Sequence, residues 1–249
     1  FYPGDPWDLL AGKKGAKVAK ALPIATVLTV AATGTEMNGN AVISNLDTVE
    51  KLGLSSSKII PRFSILDPNH TFSLPAWQTA AGVADIMSHI WEQYFSPTEH
   101  TEVQDRLSEA LLLVCKEWGP VAVKEPENYD ARANILCAST LALNGLLSAG
   151  RSGDWATHMI EHALSAVTDL THGAGLAILF PNWMTQILKE ANTERFVQLA
   201  TRVWGVETGG KSDLQIARDG IVATREFLSS LGLPKSLKEA GAKEKDLDI

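Results

Sequence analysis

The stretch Trp77-Gln78-Thr79-Ala80-Ala81-Gly82-Val83-Ala84-Asp85-Ile86-Met87-Ser88-His89-Ile90-Trp91-Glu92-Gln93-Tyr94-Phe95 decides how the chain is read. Its apolar residues recur at helical spacing, and Pro75 just ahead of it suits a helix start. Asp85 and His89 stand four positions apart, a little over one turn, so both side chains leave the same face. Asp85 lies between Gly82-Val83-Ala84 and Ile86-Met87, where an unpaired carboxylate would be costly to bury.

The character of the sequence differs on either side of this point. Before it, the run from Ile24 to Val30 is rich in β-branched residues and predicts a strand, bounded by Pro23 and by Thr33-Gly34. Ala41–Ile43 and Phe63–Leu66 predict two more short strands. A short helix is expected within 8–22, at Asp8–Leu10 and again at Ala16–Ala21. After it, helical patterns follow at about 103–117, 128–149, 154–167, 172–189, 192–204 and 213–231. Turn residues cluster between them, at Ser96-Pro97, Gly119-Pro120, Ser152-Gly153, Gly209-Gly210 and Gly232–Pro234. The expected organisation is an α/β segment over 1–75 followed by an all-helical unit over 76–249.

Bulk properties narrow the function classes. Of the 249 residues, 45% are hydrophobic and 20% charged, which is ordinary for a globular protein with a sizeable core. A net charge of -7 offers no attraction to nucleic acid or to an anionic membrane. The longest apolar runs, such as Leu176–Phe180, are too short to span a bilayer. Cys115 and Cys137 both sit in largely apolar helical patterns and read as buried free thiols of a reducing, cytoplasmic compartment.

The chemistry concentrates in the histidines. The sequence has six, and His158, His162 and His172 share one short window, while His89 shares a helix face with Asp85. A lone helical histidine is ordinarily a hydrogen-bonded core or surface residue, and an Asp–His pair one turn apart is ordinarily a surface hydrogen bond. One divalent ion held by the Asp85 carboxylate and three imidazoles would instead offset the cost of burying that carboxylate. Spacing alone leaves both readings standing. A third comes from His158-Met159-Ile160-Glu161-His162, which matches the H-x-x-E-H pattern of zinc peptidases with Glu161 as general base, but gives Asp85 and His89 no role.

These residues resemble the iron-containing (group III) alcohol dehydrogenase family. Gly153-Asp154-Trp155-Ala156-Thr157-His158, then His162, then Thr171-His172-Gly173 is similar to its His-x3-His-x9-His signature. Ala81–His89 is similar to its Gly-x2-Asp-x3-His segment. Ala32-Thr33-Gly34-Thr35-Glu36, Leu66-Asp67-Pro68 and Lys124–Asp130 extend the likeness, the last toward butanol dehydrogenases and broad-range aldehyde reductases. The resemblance implies a dehydroquinate synthase-like fold, with the remnant of a dinucleotide-binding domain ahead of an all-α metal-binding domain. It implies that Asp85, His89, His158 and His172 bind Fe²⁺ or Zn²⁺, and that His162 lies beside the nicotinamide in proton relay. By the same resemblance Thr29, Thr33, Gly34, Asn38, Lys51 and His70 contact NAD or NADP. Trp7, Trp77 and Trp155 are candidate pocket-lining aromatics.

The implied reaction moves hydride between the nicotinamide and a small primary alcohol or aldehyde, with the ion as Lewis acid, in a cytoplasmic homodimer. The family's Gly-Gly-Gly-Ser phosphate loop does not occur in these residues, and the chain opens at Phe1 and ends in a charged run. It therefore reads as a fragment. A truncated, inactive scaffold that keeps the metal is the non-enzymatic alternative.

Overall fold

The computed structural model describes residues 2–10 and 18–244. Strand β1 (Ala25–Val27) lies parallel to β4 (Phe63–Ile65), and β2 (Asn40–Asn45) pairs antiparallel with β3 (Glu50–Ser55) as a hairpin. Beyond residue 75 the described chain is helical: α1 (Ala76–Tyr94), α2 (Glu102–Lys124), α3 (Tyr129–Leu143), α4 (Ala156–Thr168), α5 (His172–Ile187), α6 (Glu194–Leu199) and α7 (Asp213–Ser230). An α/β segment thus precedes an all-α portion. No helix among the described residues is long and apolar enough to cross a membrane.

Helix α1 is the hub. Every residue from Thr79 to Tyr94 is buried, so the helix is covered on all sides, by α2, α3 and α5. A helix that is apolar nearly all round has to sit inside the molecule, and the few polar side chains carried there, Asp85, His89, Glu92 and Gln93 among them, must find partners within it. Gly173 sets how closely α5 meets α1, because a Cβ there would overlap the Ala81 carbonyl. That approach brings His172, the first residue of α5, up to the α1 face bearing Asp85.

Several local expectations differ from the structure. The Ile24–Val30 strand is shorter, with only Ala25–Val27 paired. β3 has no sequence counterpart, because Glu50-Lys51-Leu52-Gly53 lacks the β-branched alternation that marks a strand. The break expected at Gly119-Pro120 is absent: α2 continues to Lys124, with Gly119 against Val83 of α1 and Ala122 fully buried. A proline this close to a helix end removes one backbone bond, and the packing of that turn offsets the loss. α3 stops at Leu143 rather than running to 149, and Gly145 follows with φ +93. The helix expected over 192–204 is α6 continued by a π-helical turn, Ala200–Trp204. Asp8 lies in a 3-10 turn, Pro6–Leu9. Of the helix expected at Ala16–Ala21, residues 16 and 17 lie outside the described residues and 18–21 are not helical.

Cys137 is exposed whereas Cys115 is buried, which corrects half of the thiol expectation. Cys137 occupies the outward face of α3, a helix whose apolar residues do not gather on one side, so its pattern could not tell in from out.

Candidate metal and nicotinamide site

Three helices converge on Asp85. The carboxylate is 3% exposed, and its Oδ1 lies 3.5 Å from His89 Nδ1, 3.7 Å from His158 Nε2 and 3.6 Å from His172 Nε2. Ligand atoms of Asp85, His158 and His172 all fall within 4.8 Å of one another. His89 stands beside this trio, with its ring 4.5 Å from that of His158, but is not part of the tight group. Asp85 Oδ1, His89 Nδ1 and His158 Nε2 are buried and have no hydrogen-bond partner among the described residues. Orphaned polar atoms are rare in a folded interior, and here three point into one small space.

Electrostatics at the site follow from this crowding. Burial would raise the Asp85 carboxyl, yet the adjacent His89, His158 and His172 imidazoles hold it well below the usual carboxylate range. Burial pushes His89 down to about 4. It would do the same to His158, but the nearby Asp85 carboxylate and the hydrogen bond to Glu92 outweigh it and lift that imidazole to about 9. His162 is lowered to about 4, first by burial and then by His172 and Lys51. Burial would raise the Glu92 carboxyl, but hydrogen bonds from His158 and Thr157 bring it below its ordinary value.

Two carboxylates that spacing did not single out as partners lie behind the histidines. Glu92 Oε1 is 3.1 Å from His158 Nδ1, accepts from the His158 backbone N–H at 3.1 Å, and also bonds Thr157. Glu161 Oε2 bonds His172 Nδ1 and lies 3.4 Å from Lys51 Nζ, which also donates to Ser165 Oγ at 2.7 Å. The arrangement required by the peptidase reading is therefore not formed. His158 belongs with Asp85 and His172, His162 belongs with Glu161 and His172, and Glu161 is engaged rather than facing open space.

A cleft of about 1100 Å³ opens over the cluster, between the β2–β3 hairpin and the ends of α3 and α4. His89, His158, His162 and His172 line it, as do Thr33, Asn38 and Lys51. Gly34 adjoins it: its φ of +55 favours glycine, and its N–H bonds Ser139 Oγ of α3. Asn38 donates to the Thr33 and Gly34 carbonyls at 2.8 Å, closing the loop on itself. Buried Glu36, within the same loop, bonds Thr140. Thr29 and His70 are exposed and outside the cleft lining. Both follow the carboxyl ends of the paired parallel strands β1 and β4, the side on which parallel sheets take ligands. Of the three tryptophans, only Trp155 lines the cleft. Trp77 instead donates to Thr171 Oγ1. Trp155 holds a φ of 63, and its ring lies 5.6 Å from that of His158.

An α/β segment with one pair of parallel strands thus precedes a helical portion whose histidines converge on one buried carboxylate. Family models place it further: "Iron-containing alcohol dehydrogenase" matches residues 2–68, and "Fe-containing alcohol dehydrogenase family, C-terminal" matches residues 79–249. The chain belongs to the iron-containing alcohol dehydrogenase family. It is 49% identical over 249 residues to NADH-dependent butanol dehydrogenase A of Clostridium acetobutylicum, covering 100% of this chain and 63% of that protein. It is 43% identical over 237 residues to an NADPH-dependent aldehyde reductase of Escherichia coli, covering 95% and 60%. A solved structure of NADH-dependent butanol dehydrogenase A from Thermotoga maritima superposes with a TM-score of 0.93 at 44% identity, over 100% of this chain and 61% of that one. The chain thus spans a little over three-fifths of the length of the relatives it matches.

Proposed function

We propose that this chain carries the metal-binding and nicotinamide-facing part of an NAD(P)-linked alcohol dehydrogenase or aldehyde reductase acting on small primary alcohols and aldehydes. Asp85, His89, His158 and His172 hold one divalent ion. The observation that carries this reading is the convergence of buried, unpartnered Asp85 Oδ1, His89 Nδ1 and His158 Nε2, with His172 Nε2 at 3.6 Å from the same carboxylate oxygen. One hard oxygen and three imidazole nitrogens suit Fe²⁺ or Zn²⁺ and suit Mg²⁺ or Ca²⁺ poorly. When bound, the ion supplies Lewis acidity toward an alcohol or carbonyl oxygen.

The chain's own residues supply the rest. His162, lowered to about 4, is neutral at pH 7, so it offers one N–H and one lone pair, the two functions a proton relay needs. Its ring centroid is 5.3 Å from that of His172, at the cleft wall. Thr33, Gly34 and Asn38 shape the cofactor loop, Lys51 places a cation at the cleft wall, and Thr29 and His70 mark the cofactor side beyond the strand ends. The names of the relatives, with NADH in one and NADPH in another, support a nicotinamide partner without choosing between the two. The division of labour runs at about residue 75, with cofactor contacts ahead of it and metal ligands after it.

Metal analysis of two variants tests this assignment. His162→Ala should retain the ion and lose turnover of butanal with NADH or NADPH, whereas His158→Ala should lose the ion. Metal lost from the first and kept by the second would overturn the proposal.

A further inference from the structure

The two carboxylates behind the histidines share a sequence relation. Glu92 follows His89 by three positions in His89-Ile90-Trp91-Glu92, and Glu161 follows His158 by three in His158-Met159-Ile160-Glu161. Neither serves the histidine of its own helix. Glu92 of α1 bonds Nδ1 of His158 on α4, and Glu161 of α4 bonds Nδ1 of His172 on α5. Each ligand-bearing helix therefore orients the histidine of the next one, in a chain from α1 to α4 to α5.

We infer that Glu92 and Glu161 are the positioning residues of this site: by accepting from Nδ1 they fix the tautomer in which Nε2 of His158 and His172 faces Asp85. The inference rests on the metal reading proposed above. Both glutamates have fully buried side chains, so each imidazole meets an acceptor that cannot turn away into water. Glu92 is anchored further by the His158 backbone N–H and by Thr157, and Asp154 N–H donates to its carbonyl, which pins the start of α4 to α1. Glu161 is anchored by Lys51, which reaches it from strand β3. Gly175 leaves room for this carboxylate, since a Cβ there would come within 2.8 Å of Glu161 Cγ.

Charge supports the same assignment. Asp85, Glu92 and Glu161 carry three negative charges when ionised, and Lys51 returns one positive charge. In the metal-bound state, where ligating imidazoles are neutral, the remaining charge is minus two, which a dication would cancel. A buried group of like charges without such compensation would be strongly disfavoured. A carboxylate behind a ligating histidine raises the basicity of the ring and holds its orientation, and its loss typically weakens metal binding by roughly 10- to 100-fold.

The test measures Zn²⁺ affinity by competition with a chromophoric chelator, together with ¹⁵N–¹H imidazole spectra of the zinc-loaded chain. Glu92→Gln and Glu161→Gln keep side-chain volume and remove the charge. Each should weaken Zn²⁺ binding by roughly 10- to 100-fold. The spectra of the unaltered chain should show Nδ1 protonated in His158 and His172. In Glu92→Gln only the His158 signature should be disturbed, and in Glu161→Gln only that of His172, an effect that a general loss of packing would not produce. Affinities within twofold of the unaltered chain, or ligation of His158 or His172 through Nδ1 in that chain, overturn the inference. The second of these needs no variant to fold. Zn²⁺ binding by the unaltered chain that is lost in Asp85→Asn supports the metal reading on its own. Its absence from the unaltered chain overturns that reading and this inference together.

Discussion

On the proposed metal assignment, the three buried atoms without partners predict that the chain gains stability from the ion. A ligand that binds only the folded state adds RT ln(1 + [L]/Kd), about 2.7 kcal/mol when free ion is at 100 times Kd. For a chain of 249 residues each kcal/mol raises the melting temperature by roughly 2–4 °C, so the expected rise is roughly 5–11 °C. Differential scanning fluorimetry in EDTA, then with Zn²⁺ or with Fe²⁺ under anaerobic conditions, measures it directly. Mg²⁺ at the same free concentration should give no rise, because three of the four proposed donors are imidazoles. In Asp85→Asn the Zn²⁺-dependent rise should vanish, since the carboxylate oxygen within 3.7 Å of all three histidines is gone. A rise of unchanged size in Asp85→Asn would place the ion elsewhere. No rise in the unaltered chain would refute the link between the orphaned atoms and metal.

Other consequences can be checked independently of the ion. Burial pushes the Cys115 thiol up to about 12 from an ordinary value near 9, so its contribution to stability is complete below pH 9 and is lost as pH rises toward 12. At pH 10.5 the loss is about 1.5 units, or roughly 2 kcal/mol, and urea unfolding of Cys115→Ala should show a flatter alkaline limb by that amount. A thiol reagent should modify Cys137 and spare Cys115 in the folded chain. Asp105 joins the fully buried Arg151 guanidinium at 2.6 Å and Arg195 at 2.8 Å. Asp105→Ala should therefore cost roughly 3–5 kcal/mol in urea unfolding. Arg106→Ala removes an exposed guanidinium from buried Glu109, which Arg202 and Tyr94 still hold, and should cost less than about 1 kcal/mol. Gly173→Ala forces α5 away from the Ala81 carbonyl. It should cost roughly 1–3 kcal/mol and weaken Zn²⁺ binding, because His172 moves with the helix start.

Much of the helical portion was legible because its signals are local. α1 and α4 were read to within a residue or two from apolar spacing and turn residues, as was the start of α5 at His172. The misreadings share a cause in tertiary contact. Gly119-Pro120 signals a break by local chemistry, but the approach of Val83 and the burial of Ala122 keep the turn helical. Glu50-Lys51-Leu52-Gly53 has no strand pattern. It becomes β3 because its hairpin partner runs antiparallel from Asn40 to Asn45 and α4 lies against it.

The site divides along the same line. Asp85 with His89, and His158 with His162, were visible as pairs because helical periodicity alone puts each pair on one face. The proximity of Asp85 to His158 and His172 spans more than 70 residues, and no periodicity encodes it; the family resemblance supplied it. Glu92 and Glu161 fall between these cases. Each stands one helical turn beyond a histidine, so each position was legible, but spacing would pair each with the histidine of its own helix. The structure pairs them with the next helix instead, Glu92 of α1 with His158 of α4 and Glu161 of α4 with His172 of α5. The H-x-x-E-H match at His158–His162 was therefore a real spacing with the wrong partner. A histidine and carboxylate one turn apart predict that both face the same interior. Which imidazole the carboxylate holds depends on the helix packed against it.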